Sequence, residues 1–230
     1  MKRILAISDI HGEFKLFDKL LQKAGYDAAE DELILLGDYV DRGPDSRRVL
    51  ERVIELKERG AIVLRGNHDQ MMLDAARDEP GAKGNWAQNG ALPTLQSYDS
   101  SIKDMTLPTA DLFWEHIEFI KQLDYYHETD DFIFVHAGVQ PGTPVEQTDP
   151  LILLWIREEF YKTYSGEKTV VFGHTPAFML RGTRDCDVYF GDNRIIGIDG
   201  GAAYGGQLNC LELPSRRSYS VKKVRKSMFF

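Results

Sequence analysis

Two cysteines, Cys186 and Cys210, are all that the 230 residues carry. That is too few for a disulfide framework and better suited to reduced, buried thiols. Long apolar runs are missing too. None approaches the roughly 18 residues needed to cross a bilayer. The chain enters a strand pattern at Arg3, leaving no room for a signal peptide before Asp9. A cytoplasmic location with no membrane partner is expected. Basic charge is in deficit: a net charge of −8 argues against general nucleic-acid binding. The C-terminal segment 215–230 is the exception, because Arg216 to Lys226 include six basic residues and no acid. It reads as a solvated terminus or as a contact for an anionic partner. With 43% hydrophobic and 28% charged residues, the composition is that of a folded chain with a full core.

Residues 1–76 alternate between strand and helix patterns. Phe14, Phe17, Leu20 and Leu21 form one apolar stripe, with Gly25 to stop the helix. Val49, Val53, Ile54 and Leu56 mark a second helix ending near Gly60. Such alternation predicts a layered α/β architecture. Residues 77–128 break the pattern. Pro80-Gly81, Gly84, Asn89-Gly90 and Pro93 give loop and short helix, followed by a helical stretch from Asp111 to Leu123. This region is expected to be an insertion over the site within one domain spanning 1–230. β character then returns, with Ile195–Ile198, Gln207–Leu213 and Ser218–Val224 as closing strands.

Five apolar runs end in residues that can bind a metal. Arg3–Ile7 leads into Asp9 and His11, Leu33–Leu36 into Asp38, Ala61–Leu64 into Asn67 and His68, Phe132–Val135 into His136, and Val170–Phe172 into His174. In open α/β sheets, ligands bind beyond the carboxyl ends of the strands, so one converging metal site is expected. Asp9 and His11 stand two apart and can hold one ion together. Asp38, with two oxygens, can bridge two ions. Asn67, His136 and His174 supply a neutral ligand each for the second. Mixed carboxylate and imidazole ligands suit manganese, iron or zinc better than calcium. Any of these residues alone could be a helix cap or a structural histidine, but four of the six histidines fall in the strand-end motifs. His116 and His127 lie in the insertion and read as structural or exposed.

These motifs carry a resemblance. Asp9-Ile-His-Gly12, Gly37-Asp-Tyr-Val-Asp-Arg-Gly43, Arg65-Gly-Asn-His-Asp69, His136-Ala-Gly138 and Gly173-His-Thr-Pro176 resemble those of the calcineurin-like metallophosphoesterases. Arg65–Asp74, Trp86 and Asn89-Gly90 are similar to the bacterial and phage branch of the phosphoprotein phosphatases. The resemblance extends to about Gly206. It implies a four-layer αββα sandwich, two mixed β-sheets flanked by helices. It also implies two divalent ions, manganese first and iron or zinc as alternatives: Asp9, His11 and Asp38 on one, and Asp38, Asn67, His136 and His174 on the other. Two sequence features depart from relatives. The last motif lacks the second His of Gly-His-x-His, as the protein-phosphatase branch does, and Asp69 stands where many relatives carry Glu.

The chemistry implied is hydrolysis by direct attack of a hydroxide bridging two metals, with no phosphoenzyme. The family places an acid that protonates the leaving oxygen at His68. Asp41 would orient it and hold it cationic; its other reading is a turn residue in Asp-Arg-Gly-Pro. Arg42 and Arg65 would grip phosphate bidentately, Asn67 would join them, and Arg157 resembles a third phosphate arginine or is a surface helix residue. The expected activity is a monomeric phosphoserine/phosphothreonine protein phosphatase, with phosphotyrosine or other small phosphate esters as further substrates. The alternative is a diadenosine tetraphosphate hydrolase, a group that tends to lack Asp41. A catalytically dead scaffold is disfavoured because every ligand position is filled. Cys210-x5-Arg216 fits a cysteine-phosphatase pattern only formally, since Leu211, Leu213 and Pro214 suit a strand end. The Gly200–Gly206 run lacks the lysine of a P-loop and reads as a turn close to the site.

Overall fold

The computed structural model describes residues 2–223. Val224 of the expected last strand, and the basic residues beyond it, lie outside the described residues. Ten strands form two five-stranded sheets. In the first, the spatial order is β10 (Arg217–Lys222), β9 (Gln207–Leu213), β1 (Arg3–Ile7), β2 (Asp31–Leu35), β3 (Ile62–Val63). In the second it is β4 (Tyr126–Glu128), β5 (Phe132–Val135), β6 (Thr169–Phe172), β8 (Ile195–Gly197), β7 (Tyr189–Phe190). In the first, β1, β2 and β3 are parallel and β9 and β10 are antiparallel on one side; in the second, a parallel β5-β6-β8 centre has an antiparallel strand at each edge, so both are mixed, as expected.

Side-chain alternation along the strands explains the layers. Ile4, Ala6, Ile34 and Leu36 face Phe134, Val171 and Ile196 between the sheets. Their neighbours Leu5, Ile7, Leu33 and Leu35 point the other way, onto helices. Ile133, Val135, Val170 and Phe172 likewise face outward onto Leu153 and Phe160. Strands buried on both faces must be apolar at every position. That is why they read as unbroken runs rather than alternating ones.

Helices α1 (Phe14–Ala24), α2 (Ser46–Glu58), α3 (Asn67–Ala76), α4 (Ala82–Gln88), α5 (Leu92–Tyr98) and α6 (Asp111–Lys121) contribute to the cluster on the first sheet. Short helices α7 (Pro150–Trp155) and α8 (Glu158–Thr163) cover the second, and α9 (Ala177–Arg181) follows β6. Gly25 ends α1 in the left-handed conformation expected of it. Two expectations shift. The Asp111–Leu123 helix stops at Lys121, and Cys186 is only partly buried whereas Cys210 is fully so. Cys210 sits mid-strand in β9, and burial pushes its thiol up to about 12, the opposite of an activated nucleophile. No helix among the described residues is long and apolar enough to cross a membrane.

Candidate metal centre

The carboxyl ends of β1, β2, β5 and β6 and the N-terminus of α3 meet at one cleft. Asp9, His11, Asp38, Asn67, His136 and His174 are all buried there. The strand-end backbone is strained to reach it. Asp9, His11, Asp38 and His174 have φ of 55°, 46°, 59° and 61°, and Asp41 and Arg42 follow at 74° and 69°. Non-glycine residues seldom take this left-handed region, at a cost of about 1–3 kcal/mol each, and they cluster at functional sites. Gly66 lets two loops touch: a Cβ there would strike the Asp38 backbone and carboxylate. Asp69, at the start of α3, accepts hydrogen bonds from the amides of Asp38 (2.8 Å), Tyr39 (3.0 Å) and Gly66 (2.9 Å). The shorter Asp therefore reaches all three loop amides.

The donor atoms fit a pair of cations. His11, Asp38 and His68 form one group and Asp38, His136 and His174 another, with ligand atoms within 4.8 Å of one another in each; Asp38 is common to both. The Nδ1–H of His136 is committed to the Leu36 carbonyl at 2.9 Å. Its Nε2 then presents a bare lone pair to Asn67 Oδ1 at 2.8 Å and Asp38 Oδ1 at 3.5 Å. His11 also has Nδ1 on the Val40 carbonyl at 2.9 Å and Nε2 3.4 Å from Asp38 Oδ2, but its Nε2 already takes a donor from Arg42 at 2.9 Å. Nε2 of His174 is buried with no hydrogen-bond partner among the described residues. Acceptors converging on acceptors call for a cation between them. Burial drives His11, His136 and His174 below the ordinary histidine range, toward the neutral form that ligates metals. Burial, reinforced by Asp9 and Asp69, raises Asp38, a crowding of negative charge that a divalent ion would relieve.

Beside this centre, His68 Nδ1 lies 2.7 Å from Asp41 Oδ2. Arg42 donates from its two terminal nitrogens to His11 Nε2 and His68 Nε2, both at 2.9 Å. This corrects the expectation of a cationic His68. Burial and then Arg42 push it well below 6.5, because Nε2 is here an acceptor for a guanidinium. Arg157 lines the cleft and donates to the His174 carbonyl and Thr175 Oγ1, both at 3.1 Å, so it is not a stray surface residue.

Arg65 requires a second correction. Its guanidinium donates to Gln70 Oε1 (2.8 Å), the Tyr125 hydroxyl (2.9 Å) and the carbonyls of Lys121 (2.8 Å) and Leu123 (3.1 Å). It is buried and absent from the cleft lining. Both terminal nitrogens are committed to α3, α6 and the loop after α6, and the remaining Nε is buried without a partner among the described residues.

Asn89, noted above only within a motif, lines the cleft with Trp155 and Tyr204; Tyr204, in the glycine-rich turn expected close to the site, stacks on Arg42 at 5.0 Å. One acidic residue escaped the sequence reading. Asp199 is buried, accepts from Gly201 N at 2.7 Å, and is raised by burial and by Asp9. It follows β8, so the pattern of an apolar run ending in an acid could have found it.

A family model described as calcineurin-like phosphoesterase matches residues 2–204. Serine/threonine-protein phosphatase 1 of Salmonella typhimurium is 31% identical over 90% of this chain and 90% of its own. The asymmetrical bis(5'-nucleosyl)-tetraphosphatase PrpE of Bacillus cereus is 30% identical over 94% and 92%. A symmetrical bis(5'-nucleosyl)-tetraphosphatase of Nitrosomonas europaea is 31% identical over 74% of this chain, which spans only 58% of that protein's length. A solved structure, described as a candidate diadenosine tetraphosphatase, shares the fold with a TM-score of 0.74 at 24% identity, covering 97% of this chain and 95% of that one. With the strand-end ligands gathered in one cleft and the family match running through nearly all of the described residues, the chain belongs to the calcineurin-like phosphoesterases.

Proposed function

We propose that the chain is a divalent-metal-dependent phosphomonoesterase acting on phosphoserine and phosphothreonine in proteins. The observation carrying this reading is the Asp41–His68 pair standing beside the two ligand groups, with Arg42 against it. Asp9, His11 and Asp38 would hold one ion, and Asp38, Asn67, His136 and His174 the other. When bound, the ions supply positive charge for the phosphoryl oxygens and acidify water. Arg42 and Arg157 offer guanidinium donors to the remaining oxygens. Water forms the new P–O bond. Arg42 keeps Nε2 an acceptor until phosphate draws the guanidinium away; Nε2 then takes a proton from solvent, and His68 becomes cationic with Nδ1–H held by Asp41. As the ester P–O bond breaks, that Nε2 proton passes to the departing oxygen, leaving neutral His68 with its Nδ1–H on Asp41.

A second reading has its own support. Trp155 and Tyr204 are 40% and 60% exposed at the cleft, and such faces can stack on nucleobases. Two of the relatives above are named for dinucleoside tetraphosphates. Metal-loaded protein assayed in parallel on a phosphoserine peptide and on diadenosine tetraphosphate separates the two. A higher kcat/KM on the peptide is the expected outcome, and a strong preference for the dinucleotide would replace the first reading by the second. Residues 77–128 reach this cleft through Asn89 and are the part of the chain best placed to set that choice. Manganese is the proposed native ion, and elemental analysis of the purified protein checks it.

A further inference from the structure

The Asp41 carboxylate is wholly buried, yet only donors face it. The indole Nε1–H of Trp86 lies 2.9 Å from both of its oxygens. The Thr94 hydroxyl donates to Oδ1 at 2.9 Å, and His68 Nδ1 is 2.7 Å from Oδ2. Thr94 in turn accepts from the Asp41 amide at 2.8 Å and lies 3.0 Å from Ser46 Oγ, where either hydroxyl can donate. Burial raises Asp41 to about 7, and the hydrogen bonds from Thr94 and Trp86 oppose that rise by favouring the carboxylate. With Arg42 donating to His68 Nε2, the remaining nitrogen, Nδ1, is the one that donates to Asp41. Trp86 is on α4 and Thr94 on α5, both inside the insertion. A buried tryptophan needs one partner for its N–H, and a core threonine could be satisfied by a helix carbonyl. Here both are spent on a single carboxylate one hydrogen bond from the cleft.

We propose that Trp86 and Thr94 are positioning residues: by orienting Asp41 they fix the tautomer and aim of His68, so the insertion is part of the leaving-group machinery and not only a cover. This rests on the phosphomonoesterase reading. Neither residue touches substrate; both act through Asp41.

The test is a leaving-group series on the metal-loaded full chain. Phenyl phosphate and a phosphoserine peptide expel oxygens that need a proton. The oxygen of 2,4-dinitrophenyl phosphate leaves as a stable anion and does not. Trp86→Phe and Thr94→Val are expected to lower kcat by roughly 10–100-fold on the first two, a share of the 10²–10⁴ available to acid catalysis. On the dinitrophenyl ester the expected change is under about threefold. KM should be unchanged throughout, and Thr94→Ser should recover most of the loss. Thr94→Val, nearly isosteric, keeps the test open if Trp86→Phe fails to fold. Equal losses on good and poor leaving groups, or no loss on either, would overturn the proposal. A wild-type enzyme that turns over none of these esters would overturn the phosphomonoesterase reading instead, and this inference with it.

Discussion

Replacing Arg65 by methionine removes four hydrogen bonds while keeping most of the aliphatic volume. The lost partners are Gln70, the Tyr125 hydroxyl and the carbonyls of Lys121 and Leu123, and the stacking of the guanidinium on Tyr125 at 4.8 Å goes too. Hydrogen bonds to a charged group are worth about 1.5–3 kcal/mol each. The gain from no longer burying a guanidinium offsets a large part of that sum. A net loss of about 3 kcal/mol is expected, or a fall in Tm of about 6–12 °C for a chain of this size. Urea unfolding of the metal-loaded protein measures the first and a thermal scan the second. Catalysis should be spared: kcat/KM on a phosphate ester is expected within about threefold of wild type below the unfolding transition. Arg42→Ala is the contrasting case, with stability nearly unchanged and kcat/KM lowered by about 10²-fold through loss of a charged donor. An Arg65→Met protein as stable as wild type but crippled on phosphate would refute the assignment of Arg65 to the scaffold.

Other expectations follow from the site. His68→Ala should lower kcat by roughly 10²–10⁴-fold with metal content by elemental analysis unchanged; loss of the metals would show that His68 is itself a ligand. Asp38 belongs to both ligand groups, so Asp38→Asn should weaken both ions in a calorimetric titration, and two tightly held ions would contradict sharing. Chelation should abolish hydrolysis and lower Tm, since an ion bound only by the folded state stabilises it; a chelator that changes neither would end the metal reading. His116, against the Tyr98 hydroxyl at 2.5 Å, is pushed by burial to about 4 from 6.5. The unfolded chain then takes up this proton before the folded one does. Stability should therefore fall as pH drops from 6.5 towards 4, by at most about 1.4 kcal/mol per unit. His116→Gln should unfold with a shallower pH dependence in that window, and an unchanged slope would contradict the burial argument.

The fold was legible where one physical signal dominated. Doubly buried strands had to be apolar throughout, so β1, β2, β5 and β6 stood out, and each ended in a residue with metal chemistry. Gly25 marked the end of α1 because only a left-handed residue closes that helix cheaply. What failed was direction. Arg65 adjoins Asn67 in sequence, but β3 has only two residues, and Arg65 N donates to the Asp124 carbonyl at 2.8 Å. That local bridge sends the side chain toward α6 instead of the cleft. Adjacency to a ligand cannot reveal which way a side chain leaves the backbone. The charge on His68 was misread for a related reason. A carboxylate neighbour suggested a cation, but a guanidinium arriving at Nε2 depends on the left-handed turn at Asp41 and Arg42. Trp86 was noted only as part of a motif and Thr94 not at all, because their shared partner lies 45 and 53 positions away.

The left-handed turns at Asp9, His11, Asp38 and His174 help bring candidate ligands from both sheets together. Asp9, His11 and Asp38 project from the first sheet, and His136 and His174 from the second. Asn67 Oδ1 lies 2.8 Å from one of those imidazoles and 2.9 Å from the other. A left-handed residue at a strand end turns the chain sharply across the seam between the sheets, where a relaxed extended residue would carry on past it. The packed layer of Ile4, Ala6, Ile34, Phe134, Val171 and Ile196 fixes the two sheets rigidly enough to sustain those turns. The seam is thus where two sets of candidate ligands from distant parts of the chain meet around Asp38, which both groups share. A metal pair held there would fasten the two halves of the sandwich together, so occupancy of the centre and cohesion of the sheets should rise and fall together.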